Sequence, residues 1–169
     1  TGLVKDRDQP KAPASVAATG FALVAYPIAA SRGWITHEEA LGYVNKTLRA
    51  LSEAPQGPER EGVSGNWGMF YHFLDPDTAT RAVSPKFWDS ELSTIDTALL
   101  IAGVLFAGSY FNGDSTHERG IRYMADNLYK RVEWDKFVRD DKLILHAWTP
   151  ERGMWDPVYR GYSEALLLY

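Results

Sequence analysis

Two helical rhythms alternate along this chain. Residues 15–31, containing VAATGFALVAYPIAA, and residues 94–111, containing IDTALLIAGVLFAGSYF, are apolar almost all round, which predicts helices buried on most of their surface. Residues 37–51 and 115–131 carry charge along one side, Glu38, Lys46 and Arg49 in the first and Glu118, Arg122 and Lys130 in the second. These read as amphipathic helices with one solvated face. Both have marked starts: Thr36 with Glu39 and Ser115 with Glu118 have the spacing of a capping box, in which hydroxyl and carboxylate satisfy backbone donors reciprocally. A fifth pattern opens in the apolar run EALLLY, 164–169. Alternation of this kind is expected when helical hairpins wrap into a double ring, with inner helices enclosed and outer helices wetted on one side. A four-helix bundle calls instead for similar stripes on every helix.

The stretches between hairpins repeat. His72 matches His146, Phe73-Leu74 matches Ala147-Trp148, Asp75-Pro76 matches Thr149-Pro150, and Trp88-Asp89 matches Trp155-Asp156. Asp96 matches Glu164, each just ahead of an Ala/Leu run, and GLVKDR at the start reads as a shorter third copy. A repeat of hairpin plus connector, at a period of about 70 to 75 residues, is the signature of a ring or solenoid whose units bury their faces against neighbours. Tetratricopeptide-type scaffolds repeat at ~34 residues and carry their signature on the helices, so they fit less well.

Composition narrows the chemistry. A formal charge of −4 offers no basic field for nucleic acid or anionic lipid. With no cysteine, disulfides and thiolate metal sites are excluded. His37, His72, His117 and His146 lack zinc-site spacing, and no phosphate-binding glycine loop or serine-hydrolase elbow occurs, so neither metal nor cofactor is expected. No apolar run approaches the ~20 residues of a membrane span, and the polar opening does not read as a signal peptide. The abrupt stop at Tyr169 inside an apolar run reads as a fragment.

Six tryptophans stand out, four of them (Trp67, Trp88, Trp148 and Trp155) in Gly/Pro-punctuated connectors, where aromatic faces suit sugar rings. The polar candidates on the same connectors are Asp6, Arg7, His72, Asp75, Asp89, Glu91, Asp96, His146, Glu151, Asp156, Arg160 and Glu164. Glycosidic bond cleavage needs one protonated and one ionised carboxyl group. Each residue also has a structural reading: Asp96 and Glu164 as helix caps, Asp75 as a turn former, the arginines as scaffold, the histidines as satisfied core groups.

The ordered segments GMFYHFLDPDT, ELSTIDTALLIAGVLFAGSYF, YKRVEWD, WTPERG and GYSEALLLY, with TGLVKDR, ASVAATGFALVA and RGWITHEEA before them, resemble the glycoamylase-like family. That family is related to endo-β-1,2-glucanases and to the matching region of cyclic β-1,2-glucan synthases. The resemblance implies an all-α fold, an (α/α)6 toroid of which residues 1–169 would form a single partial domain, the N-terminal half with about three hairpins and short β-like connectors. It implies an oligo- or polysaccharide substrate and a periplasmic or secreted setting, with the rest of the ring supplied by sequence beyond this chain and the fragment itself inactive. Carried onto this sequence, the pocket positions are Asp6, Arg7, His72, Trp88, His146, Trp155 and Arg160 for substrate, Glu164 as catalytic acid, and Glu91 and Asp96 competing for the second role. A non-catalytic glycan-binding module and a histidine-based sugar isomerase or epimerase are the alternatives.

Overall fold

The computed structural model describes residues 1–83 and 90–168. Two helical hairpins form the body: α1 (Val16–Ser31) with α2 (His37–Glu53), and α3 (Thr94–Tyr110) with α4 (Thr116–Lys130). Seven short strands lie in the connectors: β1 (Ala14–Ser15), β2 (Gly65–Asn66), β3 (Met69–Phe70), β4 (Phe73–Leu74), β5 (Leu92–Ser93), β6 (Ala147–Thr149) and β7 (Gly153–Met154). The fifth apolar pattern appears as a 3-10 turn, Glu164–Leu168, so the described chain holds two hairpins rather than about three. No described helix is long and apolar enough to cross a membrane.

The two near-uniformly apolar helices pack on each other, and the two amphipathic ones pack beside them and on one another. Contact between α1 and α3 is close enough to exclude side chains. A Cβ on Gly103 would lie 2.1 Å from the Gly20 carbonyl oxygen, and one on Gly20 would lie 2.5 Å from that of Leu99. Glycine is therefore required at this crossing, whatever its helical cost. Leu23, Leu100, Val104 and Phe111 fill the core with Val44, Leu48, Ile121 and Leu128 from the outer helices.

The helix starts follow their capping chemistry. Thr36 forms the full capping box, its hydroxyl taking the Glu39 N–H while the Glu39 carboxylate takes the Thr36 N–H at 2.7 Å. At α4 the Ser115 hydroxyl likewise accepts the Glu118 N–H, but the Glu118 carboxylate turns to the Ser115 hydroxyl and to His37. That second reciprocal box is thus half formed, because a partner from the neighbouring hairpin is within reach.

The repeat seen in the sequence is a structural one. In the first copy β4 pairs antiparallel with β1, Phe73 opposite the α1 cap Ser15, and the His72 carbonyl accepts the Val16 N–H at 3.1 Å. In the second, β6 pairs antiparallel with β5, Ala147 opposite the α3 cap Ser93, and the His146 carbonyl accepts the Thr94 N–H at 3.1 Å. Each connector folds back onto the start of its own hairpin, where the first N–H groups of the inner helix are otherwise unpaired. The His72 N–H in turn donates to the Glu91 carbonyl at 2.8 Å, joining the two starts side by side.

Candidate carboxylate site at the inner helix starts

The amino ends of α1 and α3 bring three polar side chains together from three segments. His72 stands just before β4, Glu91 just before β5, and Asp96 in the first turn of α3. The His72 Nδ1–H donates to Glu91 Oε1 at 3.0 Å, and Nε2 lies 3.6 Å from Asp96 Oδ1, an ion-pair rather than a hydrogen-bond distance. Asp96 Oδ2 accepts the Ser93 hydroxyl, while Ser93 Oγ caps the helix through the Asp96 N–H at 3.3 Å. Asp96 thus holds the cap residue with one oxygen and faces His72 with the other. The Phe73 ring stacks on the imidazole at 3.9 Å between centroids and fixes its plane.

Electrostatics follow from this geometry. Burial pulls the His72 imidazole towards its neutral form. The hydrogen bond to Glu91 and the charges of Asp96, Glu91 and Asp6 outweigh it and leave the pKa above its ordinary value. An imidazolium there donates to one carboxylate, faces the other, and offsets the repulsion between them. The positive end of the α3 dipole acts in the same direction on Asp96.

Asp6 contributes charge to this group and is itself paired with the Arg7 guanidinium at 2.6 Å. Tyr159 borders it on another side. Burial raises the phenol pKa, a hydrogen bond with Thr94 lowers it, and the charges of Asp96, Glu164 and Glu91 raise it again, leaving it above its ordinary value. His146 backs Tyr159, with ring centroids 4.0 Å apart. Glu164 is exposed at the head of its 3-10 turn and makes no ion pair among the described residues.

Other candidates lie elsewhere. Trp67 and Trp148 are half-buried against the core: Trp67 packs edge-on against Trp148 at 5.1 Å and against Phe137 at 6.2 Å. Trp155 is half-buried, with an indole N–H lacking a partner among the described residues. Arg160 is exposed, and its charge acts on Asp141, which is paired with Arg139. Asp75 is the turn former, accepting the Asp77 and Thr78 N–H groups at 2.9 Å, which lowers its pKa. Glu151 is held by Arg81 at 2.8 Å and Arg60 at 2.9 Å. Trp88 and Asp89 lie outside the described residues.

Sequence reasoning missed Tyr159 and Arg81. Tyr159 is brought to the group by the pairing of its N–H with the Ile144 carbonyl, which no short motif announces. Arg81 sits in a stretch whose neighbours suggest only a loop. The signal that could have flagged it is an arginine among Ala and Val, a charge with no solvent-facing pattern.

No family model matches the chain. The exo-β-1,2-glucooligosaccharide sophorohydrolase (non-reducing end) of Parabacteroides distasonis is 30% identical over 158 residues, covering 90% of this chain and 20% of that protein. The crystal structure of a protein provisionally named glucoamylase, from Bacteroides uniformis, superposes with a TM-score of 0.85 at 25% identity, covering 100% of this chain and 40% of that one. A β-1,2-glucanase from Parabacteroides distasonis superposes at 0.77 with 28% identity, covering 91% and 21%. The chain thus spans a fifth to two fifths of the length of these relatives. The resemblance carried by the motifs is a resemblance of whole segments: in sequence and in fold this chain matches one part of the glucoamylase-like proteins and β-1,2-glucan-active glycoside hydrolases.

Proposed function

We propose that this chain is part of an (α/α)6 toroid that cleaves a β-1,2-linked glucan by paired-carboxylate chemistry. The observation that carries this is the convergence of Glu91 and Asp96 on His72 at the start of α3, with Glu164 bordering the same Tyr159. Two parallel-starting inner helices with outer helices beside them are the repeating unit that a double ring needs, and the P. distasonis relatives that act on β-1,2-glucans supply the substrate class.

Roles follow from the surroundings. A carboxylate held against an imidazolium suits the ionised role of activating water or stabilising positive charge on the sugar. Glu91 fits it best: one oxygen accepts from His72, and the other makes no hydrogen bond among the described residues. Asp96 spends an oxygen on the helix cap and supports that group. Glu164 lacks such a cationic partner and is our candidate acid for the leaving oxygen. Asp6, Arg7, His146, Trp155, Arg160 and Trp88 are our candidates for contacts to sugar.

The sugar-isomerase reading loses support because it needs two imidazoles free to exchange protons, whereas His72 is engaged by two acids. The test uses the full-length protein, wild type and Glu164→Gln, on linear β-1,2-glucan, following new reducing ends. Loss of cleavage by about 10²-fold or more, with folding and glucan binding retained, is the expected result. Unchanged cleavage returns Glu164 to a structural role, and a wild type inert on every glucan overturns the hydrolase reading.

A further inference from the structure

Arg81 is the most completely enclosed charge among the described ion pairs, its side chain 0% exposed. Four of its five guanidinium N–H donors are used by the bonds that follow. Nε donates to the Ser90 carbonyl at 2.7 Å, Nη1 to Glu151 Oε1 at 2.8 Å and to the Arg60 carbonyl at 3.1 Å, and Nη2 to Glu151 Oε2 at 3.1 Å. The Tyr71 ring covers one face at 4.6 Å. A two-pronged pair of this kind fixes orientation as well as distance.

What the clamp holds is the main chain next to Glu91. The Ser90 carbonyl is taken by Arg81, the Ser90 hydroxyl by the Phe73 N–H at 2.8 Å, and the Glu91 carbonyl by the His72 N–H at 2.8 Å. The peptide that carries the Glu91 side chain is therefore fastened on both sides. Glu151 lies on the turn between β6 and β7, in the connector that runs on to Tyr159 and Glu164. The first connector brings Glu91 and the second brings Glu164, and this ion pair joins the two beside the β5–β6 ladder, the Trp67–Trp148 contact, the Glu133 N–H bond to the Trp67 carbonyl and the Arg60–Glu151 pair.

We propose that Arg81 and Glu151 are positioning residues for the carboxylate site: their ion pair, enclosed on the Arg81 side, helps set the Glu91 connector against the Glu164 connector, and thereby the separation of the acids. The inference rests on the hydrolase reading above. Removing Glu151 leaves a buried guanidinium with two fewer bonds, which draws Arg81 away from Ser90 and lets Glu91 shift. Displacement of a reacting group by about an ångström costs up to ~10²-fold in rate.

The experiment compares full-length wild type, Glu151→Gln and Glu151→Ala in two readouts. The first is kcat and KM on a β-1,2-gluco-oligosaccharide, normalised to folded protein by circular dichroism. The second is titration of His72 by NMR with isotope-labelled histidine, assigned with a His72→Gln variant, and it needs no activity. We expect Glu151→Ala to lower kcat about tenfold or more with KM changed less than threefold, and to lower the His72 pKa as Glu91 moves off Nδ1. Glu151→Gln, which keeps one acceptor for Arg81, should recover most of both. Folded Glu151→Ala with an unmoved His72 titration overturns the clamp. So does a rate loss that only tracks the folded fraction. A wild type inert on glucans, with His72 shifted by the variant, retains the clamp and sinks the hydrolase reading instead.

Discussion

Gly103→Ala tests the contact on which the site is built. The added methyl would sit 2.1 Å from the Gly20 carbonyl oxygen and 2.7 Å from its carbon, where ordinary contact needs roughly 3.4 Å. Both neighbours are main chain, so neither can rotate away, and α1 and α3 must separate by about an ångström. Overpacking of a tight core costs about 1–3 kcal/mol, and two rigid backbones put this case near 3. Alanine regains about 1 kcal/mol of helix propensity, leaving a net loss of about 2. At roughly 2–4 °C per kcal/mol for a chain of this size, Tm should fall by about 4–8 °C in a thermal melt followed by circular dichroism. Gly42→Ala on the exposed side of α2 is the control. Nothing lies within 4 Å of its added methyl, so it should raise Tm by about 1–4 °C. Equal effects of the two substitutions, or a stabilised Gly103→Ala, would refute the close crossing.

His72 and Ser93 supply the remaining predictions beside those for Glu164 and Glu151. The His72 pKa is raised in the folded state, so its stabilising contribution should be fully present below pH ~6.5 and fade as pH rises through the raised value. The Tm difference between wild type and His72→Gln should therefore shrink from pH 5.5 to 8; a difference that grows with pH contradicts the ion pairing with Glu91 and Asp96. Ser93→Ala removes the α3 cap and the hydroxyl held by Asp96, and should cost about 1 kcal/mol, or roughly 2–4 °C in Tm. An unchanged melt would mean that the cap contributes nothing.

The helices were legible because their signals are local. Thr36 with Glu39 marks the start of α2 by spacing alone, and the all-apolar runs of α1 and α3 announce burial without saying against what. The connector repeat was legible too, down to His72 and His146 holding the same bond to the first residue of an inner helix. The packing of Trp67 on Trp148 was not legible, since a tryptophan on a connector reads the same whether it faces solvent or packs on a core. The fifth helix misled for a related reason: an apolar run of six residues does not distinguish a helix from a single 3-10 turn.

The sequence by itself determined the helix types, their starts, the repeat and the residue types available to a glycan site, because each depends on residues a few positions apart. Only the tertiary structure decided which acids meet. Glu91 and Asp96 share His72 because a backbone bond between His72 and Glu91 draws two stretches of one connector together at the start of α3, and Glu151 leaves the site because the buried Arg81, 70 positions away, takes its carboxylate. Partners that distant are chosen by packing and by the cost of leaving a buried charge unpaired, neither of which a local pattern encodes.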